Sequence, residues 1–112
     1  MAATWFGLFL LPPSTSAKGG ETHKGKLIYE KNCIPCHGNS GKGDGIAGKF
    51  FSPPPADFTS QEFKEDSVGE LLEVIHEGKG NMPSFEERLS EEEMVEVLGY
   101  IRSCLSIGVC SD

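Results

Sequence analysis

Apolar residues recur at helical spacing in the stretch that follows Ser67. They fall at i, i+3, i+4 and i+7, at positions Val68, Leu71, Leu72 and Ile75. This spacing predicts an α-helix with one apolar face. The run Ser67-Val-Gly-Glu70 has the sequence of a capping box, in which two side chains satisfy free amides at a helix start. Gly78 is a favourable residue just beyond a helix end, so we expect this helix to run from about Ser67 to Gly78.

A clearer helical pattern follows Ser90. Ser90-Glu-Glu-Glu93 is another capping-box sequence, and its three glutamates are favourable at the positive end of the helix dipole. An apolar stripe comes next, at positions Met94, Val97, Leu98, Ile101 and Leu105. The stripe predicts a helix that packs its apolar face into the core.

The chain before Ser67 predicts one more helix and a long loop. The helix is expected from about Lys24 to Asn32, where Leu27 and Ile28 are apolar. The loop, Gly38 to Asp66, contains five glycines, three prolines and four phenylalanines. No segment shows the alternation of a β-strand, so the predicted fold class is all-α, with about three main helices and long loops. A loop of this length needs something to pack against.

Residues 1–17 predict a secretory signal, and residues 18–112 the mature domain. The first 17 residues carry no charge, and the apolar run Trp5 to Leu11 is followed by Pro12-Pro13 and small residues. We expect cleavage after Ala17. No basic residue precedes the apolar run, so either the start lies upstream or the signal is atypical. The alternative is an ordered apolar segment packed on the domain.

The charge distribution is acidic overall and uneven along the chain. The 10 Lys and Arg against 17 Asp and Glu give a net charge of −7, which argues against nucleic acid as a partner. Residues 18–50 hold six lysines and three acids, a balance of +3. Residues 51–112 hold four basic and fourteen acidic residues, a balance of −10. The asymmetry predicts a dipole that can orient a redox partner.

Cys33-Ile-Pro-Cys36-His37 is the arrangement of covalent c-type haem attachment. On a helical turn, residues three and four apart share a face. Two thiols can therefore form thioethers with one haem while the adjacent imidazole ligates its iron. Three alternatives remain open: a thiol-redox pair, a four-sulfur zinc site with Cys104 and Cys110, and a plain disulfide, which leaves His37 unexplained.

Iron bound by one imidazole needs a sixth ligand, and Met82 is the best candidate. It lies in Gly78-Lys-Gly-Asn-Met82-Pro83, a loop too rich in Gly and Pro to be helical. Met94 belongs to the apolar stripe of the last helix and is expected in the core. His76 lies at a helix end, where a solvated role is expected, and His23 lies in a polar lead-in. The alternative role of Met82 is to fill a gap in the core.

The sequence resembles the class I c-type cytochromes over roughly Gly25 to Ser103. The motifs that carry the resemblance are Gly25-Lys-Leu-Ile-Tyr29, Cys33-Ile-Pro-Cys36-His37-Gly38, Gly80-Asn-Met82-Pro83-Ser-Phe85 and Gly99-Tyr100-Ile101-Arg102. The resemblance implies a cytochrome c fold wrapped around one covalently attached haem c. It implies thioethers at Cys33 and Cys36, and iron ligation by His37 and Met82.

The resemblance also implies two packing features. Gly25 of the first helix is expected against Tyr100 of the last helix, with Tyr29 and Val97 beside them. A proline carbonyl is expected to accept the Nδ1 proton of His37, and Pro53, Pro54 and Pro55 are the candidates. Cys104 and Cys110 are not part of the family pattern, and a disulfide between them is plausible in an oxidising compartment.

Together these features predict a soluble, exported, monomeric electron carrier that cycles one haem between Fe(III) and Fe(II). We expect redox proteins as donor and acceptor, no stable membrane insertion, and a periplasmic location, with the thylakoid lumen as an alternative. No nucleophile or acid–base constellation is present, so no catalysis is expected. The alternatives are a haem c subunit or domain of a larger periplasmic oxidoreductase and, more distantly, a zinc or thiol-redox module.

Overall fold

The computed structural model describes residues 17–110 and has only helical elements joined by loops. The elements are α1 (Ala17–Asn32), α2 (Ile34–His37), a 3₁₀ turn (Ala47–Phe50), α3 (Gln61–Glu65), α4 (Val68–Glu77), α5 (Glu91–Tyr100) and a π-helical segment (Ile101–Ser106) that continues α5. Within residues 17–110 no strand forms, and Lys79 and Met82 make an isolated antiparallel bridge. The prediction of an all-α fold is confirmed.

Both predicted capping boxes are present. The Ser67 hydroxyl accepts from the Glu70 amide while the Glu70 carboxylate accepts from the Ser67 amide, both at 3.1 Å. Ser90 and Glu93 repeat the arrangement at the start of α5, at 2.9 and 3.1 Å. These reciprocal bonds satisfy amides that a helix start leaves free, which explains why α4 and α5 begin where the sequence predicts.

The structure contains helical segments that the sequence did not predict. Helix α1 begins at Ala17 and not at Lys24. The sequence did not indicate the longer helix, because residues 17–23 have no apolar periodicity. The long loop is interrupted by the 3₁₀ turn and by α3. At the start of α3, the Phe63 amide donates a hydrogen bond to the Ser60 hydroxyl at 3.2 Å. Four or five residues are too few for a periodic signal.

The core lies where α1 crosses α5, at Gly25. A side chain at Gly25 would collide with the Glu96 carbonyl and would lie 2.8 Å from Cβ of Tyr100, so the two helices meet backbone to backbone. Tyr29 and Val97 are almost completely buried beside this crossing, and the rings of Tyr29 and Tyr100 lie 5.5 Å apart. The predicted packing of Gly25 on Tyr100 is therefore confirmed.

The predicted signal segment lies outside the described residues, apart from Ala17, which is the first residue of α1. Among the helices of residues 17–110, none combines the length and the apolar character that crossing a membrane requires.

Candidate functional site

Cys33 directly precedes the short helix α2, and Cys36 and His37 lie within it. Helix α2 follows directly on α1: the Cys33 amide donates to the Tyr29 carbonyl at 2.8 Å, and the His37 amide donates to the Cys33 carbonyl at 2.9 Å. The thiols of Cys33 and Cys36 are half-buried and are not bonded to each other. The helical turn thus presents two thiols and one imidazole within five residues.

The imidazole of His37 is buried and fixed through one nitrogen. Its Nδ1 lies 3.2 Å from the carbonyl oxygen of Ala56. A carbonyl can only accept, so Nδ1 carries the proton and donates it, and Nε2 keeps its lone pair. Burial lowers the pKa of His37 below its usual value, against the opposing effect of the Ala56 hydrogen bond. Burial therefore favours the neutral imidazole, and the Ala56 hydrogen bond keeps its one proton on Nδ1, so Nε2 is free to bind a metal.

The carbonyl that orients His37 belongs to Ala56, not to a proline as the resemblance implied. Ala56 directly follows the run Pro53-Pro54-Pro55. The Pro55 carbonyl is turned toward Gly43, where it would collide with any side chain at that position. The next carbonyl along the chain, at Ala56, is the one that faces the imidazole.

Phe58 packs flat against the His37 ring. The ring centroids are 4.5 Å apart and the planes are inclined by 19°. Phe58 also contacts Phe63, at 4.8 Å between centroids, and both are buried. These two loop aromatics are therefore part of the protein core, whereas Phe50 is exposed. The sequence places these phenylalanines in the long loop and did not identify the stacking of Phe58 on His37.

Tyr29 ties α1 to the residue that follows His37. Its hydroxyl donates to the Gly38 carbonyl at 2.6 Å. Burial is the main reason why the pKa of Tyr29 is raised far above its usual value, with smaller contributions from Cys33, Tyr100 and Asp44. The phenol therefore remains a neutral donor. Burial, together with Cys36, also raises the pKa of Cys33 to about 12, so this sulfur is a protonated thiol at neutral pH.

Met82 lies in a tight loop that backbone hydrogen bonds hold closed. Lys79 and Met82 exchange two backbone hydrogen bonds, at 2.9 and 3.0 Å. The loop is fastened to the end of α4 by the Ser84 hydroxyl, which donates to the His76 carbonyl at 2.6 Å, and by the Phe85 amide, which donates to the Ile75 carbonyl at 3.0 Å. The half-buried Met82 side chain packs against the same core cluster as Cys33.

The other candidate ligands lie in different surroundings. Met94 is only 3% exposed and belongs to the core cluster. The His76 side chain is 36% exposed in the last turn of α4, with Glu77 at 3.7 Å and Glu86 at 4.0 Å from its ring nitrogens. His23 is exposed on α1.

Cys104 and Cys110 are bonded to each other, with their Cα atoms 4.5 Å apart. A four-sulfur zinc site with Cys33 and Cys36 is therefore not formed. Among residues 17–110, no group of three or more His, Cys, Asp or Glu side chains is placed to hold a metal ion.

The residues of α2 fit a covalently bound haem. Two half-buried thiols that are not bonded to each other lie beside the imidazole of His37. Nδ1 of this ring is hydrogen-bonded to Ala56, so Nε2 is the nitrogen whose lone pair can bind a metal. A free Nε2 is the donor that haem iron takes from a proximal histidine, and a thioether is a known partner on the opposite face. Cys33, Cys36 and His37 thus present the groups that covalent attachment and one bond to the iron require.

Comparison with known proteins gives a match to one protein family. The model of the family described as cytochrome c oxidase, cbb3-type, subunit III, matches residues 20–101. A cytochrome c6-like protein of Nostoc sp. is 28% identical over 99 residues, which cover 84% of this chain and 81% of that protein. The cbb3-type cytochrome c oxidase subunit CcoP of Azospirillum brasilense is 30% identical over 91 residues, 80% of this chain.

Solved structures show the same fold. The KustC0563 c-type cytochrome superposes with a TM-score of 0.60 at 26% identity, covering 70% of this chain and 93% of that protein. A chain of the Kuenenia stuttgartiensis reducing HAO-like protein complex gives 0.66 at 29% identity, over 94% of this chain and 50% of that one. This chain spans only 30% of the length of the Azospirillum brasilense CcoP subunit and 29% of the Mycobacterium leprae cytochrome bc1 complex cytochrome c subunit.

Proposed function

The chain belongs to the cytochrome c oxidase, cbb3-type, subunit III family and is a class I c-type cytochrome, and on this basis we propose that its function is electron transfer. One covalently attached haem c is the electron-carrying group. The observation that carries the proposal is the state of His37, because its Nδ1 is engaged by the Ala56 carbonyl and its Nε2 is free beside two unbonded thiols.

In this proposal the two cysteines and the histidine of the Cys33–His37 motif each have one role. Cys33 and Cys36 bond the haem through thioethers, which prevents its dissociation. His37 provides one axial ligand through Nε2, and Ala56 and Phe58 fix the direction and the tilt of its ring. Hydrogen bonds from the other nitrogen of a ligating histidine commonly set its orientation and basicity.

Met82 is the proposed second axial ligand. The hydrogen bonds of its loop restrain the backbone before any ligand is bound, so little conformational entropy is lost when the thioether is positioned. A haem held by His37 and Met82 would supply the one-electron Fe(III)/Fe(II) couple. Two neutral axial donors and an apolar surrounding favour the less charged, reduced state. With both axial positions filled by the chain, small ligands find no open site.

The proposal includes export and redox partners. A Cys104–Cys110 bond and an apolar N-terminal run fit a chain that matures in an oxidising compartment, for which the periplasm is the leading candidate. The thylakoid lumen remains the alternative. We propose an electron carrier, not an enzyme, because both axial positions are assigned to side chains.

A second candidate function is that of a haem c subunit or domain of a larger oxidoreductase. The observation that favours it is the match to CcoP and to the cytochrome bc1 complex cytochrome c subunit, of which this chain spans 30% and 29%. The two candidates differ in what the protein binds in its source. A free carrier elutes from a sizing column as a monomer, whereas a subunit copurifies with its enzyme.

Potentiometric titration of the purified holoprotein tests electron transfer. We expect the visible spectrum to change reversibly between two forms, following a one-electron Nernst curve with a single midpoint. A spectrum that does not respond to potential would contradict the proposed function. Two midpoints would contradict the assignment of a single haem.

A further inference from the structure

The last turn of α4 is joined to the segment that follows Met82. A helix leaves its final carbonyls without partners inside the helix, and two of these carbonyls accept hydrogen bonds from this segment. The Ser84 hydroxyl donates to the His76 carbonyl at 2.6 Å, and the Phe85 amide donates to the Ile75 carbonyl at 3.0 Å. Two hydrogen bonds thus fasten the Met82 loop to the end of a helix.

The hydroxyl of Ser84 makes a second hydrogen bond. Its oxygen accepts from the Glu86 amide at 3.2 Å, so the hydroxyl is held from two sides. The bond between Phe85 and Ile75 joins backbone atoms and is kept whatever side chains are present. The bond to His76 depends on the Ser84 side chain and can be removed by substitution. Because Ser84 is exposed, its replacement leaves no buried cavity.

Only one residue separates Ser84 from Met82. This residue is Pro83, whose ring fixes its φ angle. On its other side Met82 exchanges two backbone hydrogen bonds with Lys79. Gly78, at φ 79°, packs on the same stretch: a Cβ there would lie 2.7 Å from the Met82 carbonyl oxygen and 2.7 Å from the Ser84 amide nitrogen. The Met82 backbone is therefore restrained on both sides, and the bond from Ser84 is one of these restraints.

We propose that Ser84 is a positioning residue for the second axial ligand and that its hydroxyl determines how readily Met82 leaves the iron. The inference rests on the proposed function, in which the Met82 thioether binds the haem iron. While the Ser84 bond to His76 is intact, the detached thioether stays close to its binding position and can bind again. Without this bond the loop gains conformational freedom, and the gain in entropy favours the detached state.

Titration of the oxidised holoprotein with imidazole measures this effect. Imidazole replaces the Met82 sulfur on Fe(III): one iron–sulfur bond breaks, one iron–nitrogen bond forms, and no electron is transferred. Loss of the iron–sulfur charge-transfer band reports the exchange. We expect Ser84→Ala to bind imidazole about two- to tenfold more tightly than the wild type, the factor that corresponds to a typical hydrogen bond. Ser84→Thr keeps a hydroxyl and is expected to bind imidazole as the wild type does.

Ser67→Ala is the matched control at the other end of α4. The Ser67 hydroxyl is also exposed and accepts a hydrogen bond from the Glu70 amide at 3.1 Å. Each substitution removes a hydroxyl that caps one end of the same helix, so we expect both to lower the free energy of unfolding. Only Ser84→Ala is expected to change the affinity for imidazole. The comparison separates the positioning of Met82 from the stabilisation of α4.

The possible failures of this inference and of the proposed function are distinguishable. Equal imidazole affinities of Ser84→Ala and the wild type, or equal increases in Ser84→Ala and Ser67→Ala, would overturn the inference while electron transfer stands. A Ser84→Thr variant that behaves as Ser84→Ala would also overturn it. A wild type that lacks the charge-transfer band would contradict Met82 as the ligand and the inference with it. The proposed function itself fails only if the holoprotein does not respond to potential.

Discussion

The imidazole of His37 is positioned by two groups that lie outside the Cys-x-x-Cys-His motif. Its direction is set by a backbone carbonyl, at Ala56, and its tilt by the ring of Phe58. The Cys-x-x-Cys-His spacing made Cys33, Cys36 and His37 predictable as a group. The carbonyl partner was not predictable, because any of four consecutive residues could have supplied it and only the folded loop selects one.

At the residue scale, the assignment most open to test is that of Met82. We expect Met82→Ala to keep its haem, because the thioethers at Cys33 and Cys36 are untouched, but to bind carbon monoxide in the reduced state. Absorption spectra with and without the gas measure this directly. A variant that remains low-spin and does not bind carbon monoxide would show that another group is the ligand.

Met94→Leu is the matched control for Met82→Ala. Met94 is 3% exposed within the core cluster, and an exchange of similar volume costs less than about 1.5 kcal/mol in a core. We expect the spectrum of the oxidised protein to keep its iron–sulfur charge-transfer band. Loss of this band in Met94→Leu, with its retention in Met82→Ala, would reverse the two roles.

At the element scale, the crossing of α1 and α5 depends on the absence of a side chain at Gly25. We expect Gly25→Ala to destabilise the holoprotein by about 1–3 kcal/mol, because the added methyl meets the Glu96 carbonyl and Tyr100. Chemical denaturation of the holoprotein measures the loss. Gly99→Ala is the control on α5: nothing lies within 4 Å of the added methyl, so the gain in helix propensity, up to about 1 kcal/mol, is expected instead. Equal effects would contradict the crossing.

The capping box of α4 gives a pH dependence with a definite sign. Hydrogen bonds from the Ser67 backbone and side chain lower the pKa of Glu70 below its usual 4.5. A lowered folded-state pKa means that the stabilisation is present above pH 4.5 and is lost as the pH falls through the folded value. We expect wild type to melt above Glu70→Gln at pH 6 and the difference to shrink by pH 3.5. A constant difference would show that the carboxylate charge is not involved.

The elements that were predictable from sequence are those with both a cap and an apolar stripe. Helices α4 and α5 have a serine and a glutamate three residues apart, followed by several turns of periodic apolar residues, and both start where expected. Helix α3 has a capping serine, Ser60, but five residues give no period. The 3₁₀ turn owes its place to glycine contacts with α2, which are long-range and leave no local pattern.

At the scale of the whole molecule, the core among residues 17–110 is small. It consists of one cluster around Tyr29, Phe58 and Val97. A domain of about 100 residues buries a smaller fraction of its surface than a larger one, so its folding free energy is small. We expect the chain made without haem attachment to lack a cooperative thermal transition, because the porphyrin completes the core. Circular dichroism during heating measures this, and a sharp transition in the haem-free chain would contradict it.

The attachment of a haem to Cys33 and Cys36 is the central claim, and the intact mass of the purified, acid-denatured protein tests it most directly. We predict a coloured polypeptide heavier than its amino-acid chain by one haem, and loss of that added mass in the double variant Cys33→Ala, Cys36→Ala. A wild-type protein that has only the mass of its amino acids, or a double variant that keeps the added mass, would contradict the account.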